Sequence, residues 1–291
     1  MLSTVDIFLT LWYNVKNYKG SEFVKTPKNV PHLSALTFIR HEISRHMHNI
    51  YNTNQLLSMR HKTVKDQRDI NLIKSNSLAA LKKFSNFAEY HANPNDRDAY
   101  TQVNLQNVDI VKVVRSMYER IVELVAVERN INFRLKTGVD SVLVVADIKR
   151  LEIILYNLIS NSARHATRTD DNKIVLEIKN NDNHVVISVR DLSGGIMPED
   201  QDIIFEAYKS AESSAIHPKT GSGLGLAVSL KLAHEMNGKI MFETIPGHGS
   251  EFSVVLPKGH SLPKEAATVS DICDTFEPDD MLILMYFSDV V

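Results

Sequence analysis

Asn157 and Asn161 stand four residues apart in the run LEIILYNLISNSARHAT (Leu151–Thr167), and Arg164 follows one turn later. Leu151, Ile154, Leu155, Leu158 and Ile159 recur at helical spacing, so the run predicts a helix with one buried face. On that helix the two amides project from one side, with the guanidinium beside them. Amide oxygens can ligate a hard cation such as Mg2+, and a guanidinium holds phosphate oxygens bidentately. The stripe therefore suits a magnesium-bound polyphosphate. Two asparagines can equally do no more than solvate a helix face, and this run alone leaves both readings open.

Three later segments weigh on that choice. VRDLSGGIMPED (Val189–Asp200) sets an acid and two glycines directly after an alternating strand. TGSGLGLAVSLKLAHEMNG (Thr220–Gly238) is a glycine-rich loop opening a helix. There Gly221, Ser222, Gly223, Leu224 and Gly225 would bring backbone N–H groups and a helix N-terminus onto phosphates. GHGSEFSVVLP (Gly247–Pro257) is a glycine turn entering a final strand. A lone G-x-G is weak evidence, but four such elements in this order are strong. With NLISN, DLSGGI, IFEAY, GSGLGLA and HGSEF as the matching boxes, and FIRHEIS upstream resembling a phosphoacceptor box, the chain resembles the sensor histidine kinases. The resemblance covers roughly residues 33–257.

That resemblance implies a site for ATP and Mg2+. Asp191 would accept a hydrogen bond from the adenine amino group, and Gly194 and Gly195 would let backbone approach the base. Ile196 and Phe205 would wall the base, and His165 stands where relatives often carry a stacking aromatic. Mg2+ would be held through Asn161 and Asn157, with Arg164 on phosphate oxygens where relatives often have Lys. Residues 206–219, polar and without periodicity, would form a lid.

His41 would receive the phosphoryl group, and Glu42 would orient its ring and accept its other proton. Helical spacing turns both His41 and His48 outward, so the choice of His41 rests on Glu42 and the family's His-Glu pair. His46 lies near the apolar seam and reads as a packed histidine. Two positions depart from the family pattern. Ser193 replaces a usual glycine and is expected to crowd the adenine pocket. Arg45 replaces the Thr or Asn that aligns water in the family's phosphatase reaction, so little of that activity is expected.

The elements that must position these residues can be read in chain order. Residues 1–31 give an N-terminal segment and linker. Residues 32–94 read as a helical hairpin, with Leu36, Ile39, Ile43, Met47, Ile50 and Leu57 as the seam of its first helix. Ile70, Ile73, Leu81, Phe84 and Phe87 or Ala88 continue the seam on the second. One hairpin cannot enclose its own seam, and the family implies dimerisation into a four-helix bundle. Residues 102–258 would be the ATP-binding domain. Strands are expected at 102–105, 131–136, 141–146, 173–179, 184–191, 239–244 and 251–256, with a helix over 108–128 and Asp147 capping the Asn-bearing helix. The fold class is α+β: the hairpin, then an α/β sandwich with a mixed sheet. Residues 259–291 form an acidic tail whose apolar run MLILMYF (Met281–Phe287) would dock on its own domain as an edge strand or helix.

Composition narrows the classes of function. The 291 residues carry a net charge of −2 and so do not point to nucleic acid. Charge is uneven: residues 1–100 hold 14 Lys+Arg against 8 Asp+Glu, and residues 259–291 hold 1 against 7. The single cysteine, Cys273, excludes an internal disulfide and fits a reducing compartment. The longest early apolar run, IFLTLW (Ile7–Trp12), is far short of the ~20 residues that span a bilayer. A cytoplasmic homodimer is expected, passing phosphoryl groups from His41 to an aspartate of a response-regulator receiver domain. The alternatives are a non-catalytic dimeric scaffold or phosphotransfer protein with a degenerate nucleotide domain, and a mechanical ATPase, which the His-Glu hairpin disfavours.

Overall fold

The computed structural model describes residues 50–54, 57, 59, 63–92, 102–126, 130–166, 173–209, 222–259, 276–288 and 290. These all belong to one compact unit, Ile39–Val291. Residues 1–31, most of the first hairpin helix and the linker after His91 lie outside the described residues.

Helix α1 (Val64–His91) begins where the Thr63 hydroxyl accepts the Asp66 N–H at 3.2 Å. It is the expected second helix of the hairpin, and within one chain part of the expected seam is left uncovered. Ile70 and Leu81 are buried, whereas Ile73 is exposed and Phe84 and Phe87 are half-buried. The remaining buried positions are Ser77, Leu78, Lys82 and Asn86. They sweep toward a second face, because α1 packs on the rest of the unit as well as on residue Tyr51 of the first helix.

Strand β1 (Gln106–Asp109) pairs antiparallel with β3 (Leu143–Ala146) in a two-stranded sheet. It lies four residues beyond its expected position. Val108, fully buried opposite Val144, is drawn into the strand, and Asp109 caps the following helix by accepting the Val111 N–H at 3.1 Å. That helix, α2 (Ile110–Ile121), therefore starts two residues late and ends in a π-helical turn, Val122–Ala126.

The larger sheet contains β2 (Asn132–Thr137), β4 (Lys173–Asn180), β5 (His184–Asp191), β6 (Lys239–Ile245) and β7 (Gly249–Pro257). Its order is β2-β4-β5-β7-β6, with β2–β4 parallel and the other pairs antiparallel, so it is mixed. Alternation decides its faces. Ile174, Leu176 and Ile178 join Val185, Ile187 and Val189, and Phe252, Val254 and Leu256, in the core. The opposite face carries Arg190, which reaches Glu251 at 2.9 Å and Glu177 at 3.6 Å.

Helices α3 (Ile148–His165) and α5 (Gly225–Glu235) cover the core face, with a short turn of helix, α4 (Pro198–Gln201), between them in chain order. The run MLILMYF forms α6 (Asp280–Tyr286), and it is a helix rather than a strand. Asp279 caps it, and Ile283 and Tyr286 are fully buried in the same core.

Candidate functional site

Asp147 caps α3 by accepting the Arg150 N–H at 3.2 Å, and Leu151, Ile154, Leu155, Leu158 and Ile159 are fully buried. With that face fixed, Asn157, Asn161 and Arg164 fall on the side of α3 that meets α5 and α1. Asn157 is 4% exposed, Asn161 and Arg164 are half-buried, and His165 is exposed. The burial of Asn157 comes from the start of α5: a Cβ on Gly225 would lie 3.0 Å from its Oδ1. Any larger residue at 225 would require the Asn157 amide to shift. The Asn157 Oδ1 also accepts from Asn86 Nδ2 of α1 at a long 3.5 Å, and the buried Asn157 Nδ2 has no hydrogen-bond partner. A buried amide donor without a partner costs about 1–3 kcal/mol. Beside the N–H groups that open α5, it fits a phosphate oxygen.

Asp191 ends β5 with its side chain 3% exposed. Its Oδ1 accepts the Ser193 N–H at 3.0 Å and also the Ser193 hydroxyl. Ser193 thus folds back on the carboxylate and holds one oxygen, leaving Oδ2 for a further donor. The loop after it is tied to the β6–β7 hairpin: Gly247 N donates to Gly194 O at 2.7 Å, and Ile196 N donates to the Thr244 hydroxyl at 2.9 Å. Gly195 has φ +69°, and a Cβ there would lie 2.3 Å from the Ile245 carbonyl oxygen. Phe205 packs in a cluster with Phe242 and Phe252, at centroid distances of 5.7 and 6.5 Å. Ile196 lies partly buried against the same core.

Gly223, at φ +67°, accepts the Tyr208 N–H on its carbonyl at 2.9 Å, and Ser222 Oγ accepts the Leu224 N–H at 3.4 Å. The two ends of the expected lid are therefore clasped together. Leu224 is buried and α5 begins at Gly225. Gly221 and residues 210–221 lie outside the described residues, as do His41 and Glu42. The structure thus brings Asn157 together with Gly225, and Asp191 together with the Gly195 loop.

Sequence reasoning missed the polar residues that join α1 to this region. Lys231 of α5 caps the end of α1, donating to Glu89 O at 2.5 Å and Ala92 O at 2.6 Å. Burial pushes the Lys231 ammonium below the usual lysine range, opposed by Glu89. Arg150 of α3, itself buried, pairs with Glu235 and lies 3.6 Å from Asp147 and 3.8 Å from Glu89. His91 Nε2 and the Tyr208 hydroxyl share a hydrogen bond at 2.8 Å. Burial and then the Lys231 cation lower the His91 pKa from its ordinary value. The spacing of Lys82, Asn86 and Glu89 along α1 was the available signal, hidden because apolar periodicity does not count polar residues.

Residues 146–260 match a family described as histidine kinase-, DNA gyrase B- and HSP90-like ATPases. Over 163 residues the chain is 28% identical to the sensor histidine kinase MtrB of Mycolicibacterium paratuberculosis, a match covering 55% of this chain and 28% of that protein. It is 34% identical over 130 residues to the sensor histidine kinase GacS of Pseudomonas protegens, covering 44% of this chain and 14% of that protein. The chain thus spans little more than a quarter of these curated relatives, or less. In fold it is similar to the crystal structure of full-length ShkA in complex with AMPPNP. There the TM-score is 0.60 at 22% identity, covering 80% of this chain and 47% of that one.

Proposed function

Given that the chain carries an ATPase domain of the histidine-kinase type and is homologous to sensor histidine kinases, we propose that it is an ATP-dependent protein-histidine kinase. In this reading it phosphorylates His41 and passes the phosphoryl group to an aspartate of a response regulator. The observation that carries the reading is the partnerless Asn157 Nδ2, buried beside Gly225 at the N-terminus of α5. A structural domain has no use for that arrangement, whereas a polyphosphate satisfies it.

The N–H groups that follow Gly221, Ser222, Gly223, Leu224 and Gly225 then bind the phosphates, with Arg164 on their oxygens. Asp191, held by Ser193, takes the adenine amino group, between Gly195, Ile196, Phe205 and His165. Asn161 and Asn157 would hold Mg2+, which neutralises triphosphate charge when bound. The bond from the terminal phosphorus to the bridging oxygen breaks as one forms to a His41 ring nitrogen. ADP leaves, and Glu42 takes the proton from the other ring nitrogen.

The half-buried Phe84 and Phe87 and the exposed Ile73 support a dimer through α1. Among the described residues no helix is long and apolar enough to cross a membrane, and the reading places the chain in the cytoplasm.

Incubation with γ-labelled ATP and Mg2+ tests the reading. Acid-labile, alkali-stable label should appear on the parent protein and be absent from His41→Ala. Label retained in that variant would move the acceptor elsewhere, with His48 first. No label on a chain that still folds, and no ATP binding by calorimetry, would favour a dimeric scaffold with a degenerate nucleotide domain.

A further inference from the structure

Residues 276–290 lie outside the 146–260 family match, yet they bind two parts of the molecule at once. Toward the ATPase domain, the Arg120 guanidinium of α2 grips both carboxylate oxygens of Asp280, and this hydrogen-bonded cation holds the Asp280 carboxyl below its usual pKa. Ile283 is fully buried, the Tyr286 ring lies 5.8 Å from Tyr156 of α3, and Phe287 lies edge-on to Phe133 of β2 at 6.4 Å. This side is mostly apolar packing, closed at its rim by the Arg120–Asp280 ion pair.

The side facing α1 is made of polar links. Lys82 Nζ donates to the Tyr286 carbonyl at 2.7 Å, in the last turn of α6 where the helix dipole is negative. The Tyr286 hydroxyl donates to Asn86 Oδ1 at 3.2 Å, and the Ser75 hydroxyl donates to Ser288 O at 3.1 Å. Lys82 and Asn86 are 6% and 2% exposed. Burying an ammonium and an amide is costly unless each is paired, and water can replace such partners when the surfaces part. An interface with one apolar and one polar side is built to open on the polar side. From it, Asn86 leads directly to the Asn157 oxygen.

We propose that residues 276–290 are a staple that holds the ATPase domain on α1, with the Asn157 oxygen facing Asn86, and that the staple opens at its links to α1 before phosphoryl transfer. The last clause rests on the kinase reading; the first does not. For the test, the full chain carries Cys273→Ser, Lys83→Cys and Asp182→Cys, with spin labels on the exposed positions of α1 and of the β4–β5 turn. Diluted into an excess of unlabelled Cys273→Ser chain, so that a dimer holds at most one labelled chain, the sample should give one narrow distance distribution by electron–electron resonance. Lys82 Nζ also lies 3.4 Å from the Ser160 hydroxyl of α3. Adding Lys82→Met with Tyr286→Phe, which keeps the apolar packing, should add a broad, longer component, whereas Ser160→Ala, which removes only that direct link, should not. A distribution that stays narrow with Lys82→Met and Tyr286→Phe, broadens equally with Ser160→Ala, or is already broad in the parent, overturns the staple.

A second arm locks the contact, using Ser75→Cys with Ser288→Cys in the unlabelled Cys273→Ser chain. When oxidised it should lower autophosphorylation severalfold, restored on reduction, while the opening variant should raise it severalfold. Unchanged rates in both overturn the gating clause. Absence of phosphorylation in every chain, with the distances behaving as expected, would leave the staple standing and sink the kinase reading instead.

Discussion

The Glu152 carboxyl of α3 is buried beside the start of α6, where it takes the Tyr156 hydroxyl at 3.4 Å. Burial, then the nearby Asp279 carboxylate, push its pKa up to about 7. Because the folded chain holds this proton more tightly than the unfolded one, the stability it contributes is complete below about pH 4.5. That contribution is lost as pH rises to about 7, for a total of roughly 3 kcal/mol at most. Glu152→Gln should therefore raise the Tm at pH 8 and flatten its dependence between pH 5 and 7. A thermal scan showing no gain at pH 8 would contradict this.

Ser193 offers a second residue-scale test. Its hydroxyl donates to Asp191, so Ser193→Gly should weaken nucleotide binding by about two- to tenfold if that bond, and not crowding of the pocket, sets the affinity. Higher affinity in calorimetry would restore the crowding expectation. Gly225→Ala should keep the Tm, since alanine favours a helix, and cost roughly tenfold in affinity by pushing Asn157 aside. Sequence gave the residue types Asn157, Gly225 and Asp191 by spacing. It could not give the contact with Asn86, which depends on how α1 lies on α3.

At the scale of elements, the strands with one buried face were the legible ones. β5 runs over the expected residues 184–191 because its alternation is uninterrupted. β1 was misplaced because Val108 and Asp109 suit both a strand and a helix start, and pairing with β3 decides between them. The second face of α1, toward α6, was not legible because its partner is far away in sequence and the contact is polar. The burial of α6 predicts that Ile283→Ala should cost about 2–5 kcal/mol in urea unfolding, as for a core residue of the domain. A loss below 1 kcal/mol would show that α6 merely rests on the surface.

Across the whole molecule, His91 joins the end of α1 to the base of the expected lid. Its pKa is lowered in the fold, so this contact is complete above about pH 6.5 and is lost as pH falls through the lowered value. Below that point the imidazolium faces Lys231. Between pH 7 and 5, hydrogen exchange at Phe205–Lys209, corrected for its intrinsic pH dependence, should speed up in the parent but not in His91→Gln. Equal behaviour in both would remove His91 from the contact.

The placement of α6 also sets an order of events during translation. A ribosome completes the sheet at Pro257 before it has made Tyr286, whose carbonyl and hydroxyl Lys82 and Asn86 bind. At ~5–20 residues per second, residues 258–290 need roughly another 2–7 s to emerge. Through that interval α1 has its direct links to α3 and α5, through Lys82, Asn86, Glu89 and Ala92, but none to α6. A released chain ending at Pro257 should thus be cut by protease within α1 severalfold faster than one ending after Val290. The same ordering makes α6 a checkpoint: a domain that has not closed its sheet offers it no apolar seat, and so cannot gain these further links to α1 prematurely.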